Sequence, residues 1–127
     1  MRYLLLIYNQ EANLPDVSPG SAGSPEDLEV ALKPWWEYQD WLEEKGWYMA
    51  GDALQRTRTA TTVRGQEGKA LASDGPFAET KEQLGGFFMV NCENLDEAIE
   101  AASRIPAVEW GASIEVRPIQ EFPSKPS

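Results

Sequence analysis

One short polar run in this chain combines three side chains that acid–base chemistry uses. Glu79, Thr80 and Lys81 follow one another, so a carboxylate, a hydroxyl and an ammonium group lie in one segment, shortly after Asp74. A carboxylate can take or give a proton, and an ammonium group can hold an anionic or carbonyl substrate. We predict Asp74, Glu79 and Lys81 as catalytic residues and Thr80 as a substrate contact. The alternative is a solvated loop whose surface charges are inert.

The residues around Asp74 also allow a purely structural interpretation. Asp74-Gly75-Pro76 is a turn signal, and an aspartate in this position can bond neighbouring backbone N–H groups instead of a ligand. We expect Phe77 to anchor the loop to the core and to line a ligand cleft beside it. The loop is called loop 74–82 below.

Four further polar residues lie on predicted elements and are candidate substrate contacts. Tyr8 ends the first strand and Asp52 lies on the second, so both could face one cleft, although a core tyrosine and a bulge carboxylate are the alternatives. Gln39 is flanked by apolar residues on a helix, where a polar group must find a hydrogen-bond partner. Arg117 lies on the last strand, where it could clamp an acidic ligand or pair with charge near Glu115.

The chain contains no histidine and one cysteine, which narrows the chemistry. Catalytic pairs that need histidine are excluded, and acid–base work falls to Asp, Glu, Lys, Tyr or Cys92. One cysteine excludes an internal disulfide and a multi-cysteine metal site. We predict no cofactor and no metal site.

Composition and charge indicate a folded cytoplasmic protein. The 127 residues suit one domain (1–127), and 42% hydrophobic content is typical of a globular chain. A net charge of −10 argues against nucleic acid or an anionic membrane as partner. The longest apolar run, 4–7, is too short to span a membrane, and the N-terminus shows no cleavage-site pattern of a secretory signal.

The first half of the sequence predicts a strand, a loop, a helix and a strand. Residues 2–8 are rich in strand-forming apolar side chains, whereas 9–23 is polar and is predicted as a flexible loop. Ser24 and Pro25 indicate a helix start, with Pro34 kinking or restarting that helix and Gly46 ending it. Residues 47–54 are predicted as the second strand.

The second half predicts a hairpin, a strand, a helix and a final strand. Strands at 59–64 and 69–73 flank a glycine-containing turn at 65–68, and a further strand covers 85–91. Asn94 with Glu97 fits a capping box before a short amphipathic helix, which Pro106 ends. Residues 113–119 alternate as a strand, and 120–127 form a tail.

The order β-α-β-(hairpin)-β-α-β predicts an α+β, ferredoxin-like sandwich with two helices on one face of an antiparallel sheet. The strands at 3–8 and 87–90 carry apolar side chains on both faces, more than two helices can cover. We therefore predict a homodimer that packs the helix-free sheet faces together.

Several sequence blocks resemble the YCII-related, or DGPF-domain, family. The Asp-Gly-Pro-Phe run at 74–77 matches the family signature, and four other blocks follow in the family's order. They are YLLLIY at 3–8, TATTVR at 59–64, LDEA at 95–98 and GASIEVRP at 111–118. No single block is specific, but together they span nearly the whole chain.

The resemblance implies a dimeric α+β barrel with a cleft between helix and sheet in each subunit. Related barrels include small monooxygenases and isomerases that need no cofactor, and genes of DGPF proteins are often found near those of extracytoplasmic-function sigma factors. Members of the wider family are thought to carry a His–Asp pair in the cleft. This chain has no histidine, so that pair has no counterpart here.

Two classes of function stay open at this point. In the first, the protein is a cofactor-independent enzyme, a lyase, isomerase or oxygenase, that uses Asp74 or Glu79 as its acid–base group. In the second, it is a non-catalytic small-ligand binder or a regulatory protein of a stress response. A closed cleft around the loop carboxylates would favour the first class, and exposure to solvent would favour the second.

Overall fold

A computed structural model of the protein describes residues 1–14 and 25–126. The strands are β1 Arg2–Asn9, β2 Tyr48–Ala53, β3 Thr61–Gln66, β4 Lys69–Asp74, β5 Gln83–Asn91 and β6 Ser113–Pro118. The helices are α1 Pro25–Glu44 and α2 Leu95–Ser103, and single 3₁₀ turns cover Glu11–Asn13, Thr57–Thr59 and Pro106–Trp110.

Four strands form one antiparallel sheet in the order β2-β5-β1-β6, and β3 pairs with β4 in a separate hairpin. The four-stranded order is that of a ferredoxin-like sandwich, which confirms the predicted fold class. β1 occupies the centre because it pairs with β5 on one side and β6 on the other.

The core lies between the sheet and the two helices. Alternate residues of β1, namely Tyr3, Leu5 and Ile7, point into it and are buried. Helix α1 contributes Tyr38 and Leu42, and burying a leucine side chain of this kind stabilises the fold by about 1.5–3 kcal/mol. The two helices are tied together by the Tyr38 hydroxyl, which donates to the backbone oxygen of Ala101 at 2.7 Å.

The boundaries of α1 and β1 differ in part from the sequence prediction. Helix α1 runs through Pro34 in one piece, which excludes the predicted restart, while the alternative, a kink at this residue, stays a prediction. The predicted N-cap, Ser24, and most of the predicted loop 9–23 lie outside the described residues. Asn9 belongs to β1 because it pairs with Gln83 of β5, so the loop begins later than predicted.

The cap of α2 and the hairpin turn follow from local sequence. The Asn94 side chain accepts a hydrogen bond from the Glu97 backbone N–H at 2.9 Å, as a capping residue does. The Glu97 carboxylate accepts from the backbone N–H of Glu93 at 2.9 Å, one residue earlier than in a capping box. Between β3 and β4, Glu67 and Gly68 both adopt positive φ angles, which a two-residue turn of this hand requires.

The helix-free face of the sheet carries apolar side chains, as the sequence predicted. Leu4 and Leu6 of β1 lie opposite Met89 and Phe87 of β5 and are half-buried. They form an apolar strip on the face that neither helix covers. Charged residues of the outer strands flank this strip.

Candidate functional site

Loop 74–82 forms one wall of an open depression of about 440 Å³. The opposite wall is the 3₁₀ turn Thr57–Thr59 together with Arg56, and Glu11 contributes from the segment after β1. From the loop side, the lining residues are Gly75, Pro76, Glu79 and Gln83. A volume of this size suits a small molecule, although the depression is open to solvent.

The wall opposite the loop is held by hydrogen bonds to Glu11. Both carboxylate oxygens of Glu11 accept from Thr57, one from its backbone N–H and one from its hydroxyl, each at 2.8 Å. The Arg56 guanidinium donates to the backbone oxygens of Glu11 at 2.9 Å and Leu14 at 2.8 Å. The side chains of Glu11 and Arg56 therefore join two segments that are distant in sequence.

Internal hydrogen bonds also fix the loop. The Thr62 hydroxyl donates to the backbone oxygen of Gly75 at 2.7 Å, and the Gly75 N–H donates to Ala60 at 2.8 Å. The Gln83 amide donates to the backbone oxygens of Ala78 at 3.1 Å and Thr80 at 3.0 Å. These bonds hold the backbone of the loop beside the depression.

One of the three predicted catalytic residues lines the depression. Asp74, Glu79 and Lys81 are all exposed, and only Glu79 lines the depression. Within the described ranges, the Asp74 carboxylate accepts no hydrogen bond, so the expected turn cap is not formed. The Thr80 hydroxyl donates to the Glu82 backbone oxygen, so its hydrogen bond is made within the loop. The catalytic and binding roles assigned to these residues stay predictions.

Phe77 does not anchor the loop to the core. Its side chain is 73% exposed, which contradicts that expectation. The Arg64 guanidinium of β3 lies over its ring, with 4.8 Å from Cζ to the ring centroid. Phe77 therefore contacts the hairpin instead of the core, because the loop turns towards β3.

Tyr8, Arg117 and Asp52 share the helix-free sheet face, with Arg117 close to Tyr8 and Asp52 on the opposite edge strand. The Tyr8 hydroxyl donates to the Glu115 carboxylate at 3.3 Å. Burial, the charge of Glu115 and this hydrogen bond raise the pKa of the Tyr8 phenol, whereas Arg117 lowers it. Asp52 lies on β2, three strands from Glu115 and hence about 14 Å away, so it takes no part in this hydrogen bond. A cleft shared by Tyr8 and Asp52 stays a prediction.

Gln39 is half-buried at the edge of the buried stripe of α1. Its amide donates to the Glu43 carboxylate at 3.1 Å, one helical turn further on. The buried residues of α1 are Tyr38 and Leu42, which place the core-facing stripe beside Gln39. The expected hydrogen-bond partner of Gln39 is thus a protein group, Glu43, and its role as a substrate contact stays a prediction.

Sequence reasoning missed Glu11, Arg56 and Thr57, which shape the depression. Glu11 falls in the predicted loop 9–23, and 55–58 was passed over between two predicted strands. The available signal was the pair of arginines at 56 and 58 in a strongly acidic chain. Their meeting with Glu11 depends on tertiary structure, which local patterns do not report.

Neither a metal-binding cluster nor a helix that could span a membrane occurs in the described residues. Across residues 1–14 and 25–126, no three Cys, Asp or Glu side chains come together as a metal site. Among the described helices, none is long and apolar enough to cross a membrane.

Comparisons with known proteins agree with the fold. The family model described as YCII-related domain matches residues 1–123. A protein of Rhizobium meliloti (strain 1021), described as uncharacterized, is 38% identical to this chain over 120 residues. The alignment covers 94% of this chain and 92% of that relative.

Proposed function

We propose that this chain, which belongs to the YCII-related family whose model covers 1–123, binds a small polar molecule in the depression beside loop 74–82. The observation that carries this proposal is the arrangement of hydrogen bonds around the depression. Both walls are fixed by side-chain to backbone bonds before any ligand arrives. A preformed site loses less conformational entropy on binding.

The polar groups of the depression favour a ligand that donates hydrogen bonds. The carboxylate oxygens of Glu11 and both terminal nitrogens of Arg56 already have protein partners. Glu79, in contrast, presents a carboxylate that bonds to nothing else in the described part of the chain. An amine or hydroxyl group of a small ligand would supply the missing donor.

Binding without catalysis fits the exposure of the loop. Acid–base groups of enzymes lie in sites that exclude water and shift their proton affinity. Asp74, Glu79 and Lys81 are exposed, and the depression is open. This exposure favours a ligand-binding protein over a cofactor-independent enzyme.

A thermal-shift screen with small amines, polyols and carboxylic acids tests this proposal. We expect an amine or polyol to raise the melting temperature, and Glu79→Gln to remove that shift without changing the melting temperature of the free protein. Glu67→Gln, in the exposed hairpin turn, is the matched control and should keep the full shift. Asp74→Ala and Lys81→Ala in the same assay measure whether either residue contributes to ligand binding.

Two outcomes would contradict the proposal. An equal ligand shift in Glu79→Gln and the unchanged protein would remove Glu79 from the site. Chemical conversion of the bound molecule, detected by mass spectrometry and lost in Glu79→Gln, would replace binding with catalysis.

We further propose that the protein assembles as a homodimer through its helix-free sheet face. The half-buried strip of Leu4, Leu6, Phe87 and Met89 supplies the apolar centre of such an interface. Charges of both signs flank it, with Arg117 and Glu115 on β6 and Asp52 on β2. A two-fold axis can therefore bring opposite charges of the two protomers together.

Light scattering at micromolar concentration tests this assembly. We expect a dimer mass for the unchanged protein and a monomer mass for Leu6→Asp, because a carboxylate in the centre of the strip loses its hydration on association. Ile99→Asp makes the same kind of change, from an apolar side chain to a carboxylate, on the outer surface of α2, and this variant should remain dimeric. A monomer mass for the unchanged protein would refute the assembly.

A further inference from the structure

The β3–β4 hairpin lacks the cover that a two-stranded sheet needs. From 61 to 74 every residue is exposed except Thr62, which is half-buried. Val63 is 65% exposed and Leu71 50% exposed, although both are large apolar residues. An isolated two-stranded hairpin is only marginally stable in water, so a surface that packs on this one would stabilise it.

One face of the hairpin is basic and apolar. Cross-strand partners share a face, so Arg64 lies beside Leu71, and Gln66 lies beside Lys69. Phe77 packs against Arg64 and adds an exposed ring. A groove of about 460 Å³ lies between Phe77 and 63–66. These residues (Arg64, Gln66, Lys69, Leu71 and Phe77) are called the basic face, and their side chains include no carboxylate.

The chemistry of the basic face requires an acidic partner surface with some apolar side chains. Helix α1 of this chain has that composition, with seven carboxylates and one lysine. In its first half, 25–34, every residue is exposed except Leu32. Leu28 is 41% exposed and Val30 73% exposed, among carboxylates such as Glu26 and Glu29.

We propose that the basic face of one protomer packs on the first half of α1 in a second copy of this chain. The two cationic and two apolar side chains of the basic face then meet a surface of opposite charge with matching apolar residues. In a two-fold dimer the contact occurs twice, since each protomer supplies one hairpin and one helix.

The length of the hairpin suits this contact. A six-residue strand spans about 20 Å, which is close to the combined depth of one sheet layer and one helix layer. A hairpin of this length can therefore reach from one protomer to the helix layer of its partner. This inference rests on the proposed homodimer, which supplies the second copy.

Disulfide trapping between two different variants tests the contact. Leu71→Cys and Val30→Cys are made separately, each with Cys92→Ala, and one carries a tag that changes its mass. After mixing and mild oxidation we expect a cross-linked product that contains one chain of each kind. The matched control is Ala72→Cys mixed with Val30→Cys, because Ala72 lies on the opposite hairpin face, and it should cross-link much less.

Charge reversal gives a second test that does not alter Cys92. The double change Arg64→Glu with Lys69→Glu should weaken the dimer in light scattering and lower the melting temperature. Combining it with Glu26→Lys and Glu29→Lys should restore both, since the charges are again opposite. The restored dimer should also weaken in high salt.

The outcomes separate this contact from the assembly itself. A dimer mass together with cross-linking no better than in the control, and no effect of charge reversal, would overturn the hairpin contact and leave the sheet interface standing. A monomer mass would overturn both. Cross-linking of Leu71→Cys to Val30→Cys, with recovery on double charge reversal, is the result expected if the hairpin packs on the second copy.

Discussion

Glu11 and Arg56 illustrate how single side chains connect distant segments. The Glu11 carboxylate satisfies two donors of Thr57, while Arg56 satisfies two backbone oxygens that follow β1. Hydrogen bonds that involve a charged group contribute about 1.5–3 kcal/mol each when both partners are held in place. These contacts hold the start of the segment after β1 against the 3₁₀ turn Thr57–Thr59.

Cys92 provides a prediction at the same scale. Its side chain is 2% exposed, and burial raises the pKa of its thiol to about 11, with Glu97 adding to the effect. We expect the folded protein to resist labelling by a thiol reagent at pH 8, and the unfolded protein to react rapidly, because the thiolate is the reactive form. A colorimetric thiol assay with and without guanidinium chloride makes the comparison.

The raised pKa of Cys92 also determines how the stability of the protein changes at alkaline pH. The folded state holds the thiol proton more tightly than the unfolded state, so this contribution to stability is present below the unfolded pKa. It is lost as the pH rises from about 9 to 11. Cys92→Ala should therefore flatten the decline of melting temperature over this range. Rapid labelling of the folded protein at pH 8 would contradict the assignment.

At the scale of elements, the close approach of β2 to β5 depends on a missing side chain. A Cβ atom on Gly51 would lie 2.5 Å from Cδ1 of Phe88. The Phe88 ring cannot shift easily, since it stacks on Trp35 at 6.4 Å and meets the edge of Tyr38 at 5.0 Å between ring centroids. Gly51 therefore lets the edge strand pack over the aromatic cluster beneath α1.

Gly51→Ala should destabilise the protein by about 1–3 kcal/mol, as overpacking of a core does. Gly65→Ala is the matched control, because a Cβ atom there meets nothing within 4 Å, and its effect should stay within about 0.5 kcal/mol. Chemical denaturation of both variants, compared with the unchanged protein, measures the difference. Equal stabilities of the two variants would show that Phe88 moves aside.

The elements were predictable where the signal was local and periodic. β1, β5, β6 and α2 follow from alternation, apolar runs and the cap at Asn94, and the hairpin follows from its glycine turn. The site was less predictable. The sequence predicted Glu79, which lines the depression, because its loop is compact in sequence, and its role there stays a prediction. Glu11 and Arg56 meet only in the folded chain. Phe77 was misplaced because an aromatic residue in a loop does not reveal which neighbour it packs on.

At the scale of the whole molecule, the two ends of the described chain are joined. The Ile119 N–H donates to the backbone oxygen of Arg2 at 3.0 Å, which continues the pairing of β6 with β1. The Arg2 guanidinium then donates to both carboxylate oxygens of Glu121, at 2.7 and 2.8 Å. The predicted tail, 120–127, is therefore attached at its start to the central strand.

This ion pair makes the stability of the protein depend on pH in the acidic range. The hydrogen bond from Arg2 lowers the pKa of the Glu121 carboxyl, so its contribution to stability is present above the unfolded pKa and is lost as the pH falls through the folded value. We expect Glu121→Gln to lower the melting temperature slightly at pH 7, and the difference to vanish as the pH falls through the folded pKa of Glu121. Glu67→Gln is the control, and a difference that persists in acid would contradict the assignment.

The central place of β1 has a consequence for how the chain folds during synthesis. β1 is synthesised before its partners and can pair only when 83–91 and 113–118 have emerged from the ribosome, since Arg2 pairs with Asn91 and Tyr3 with Pro118. Until then, its apolar side chains stay open to other molecules. Such non-local pairing slows folding and lengthens exposure to aggregation. Chaperone demand during translation should therefore persist until β6 has left the exit tunnel.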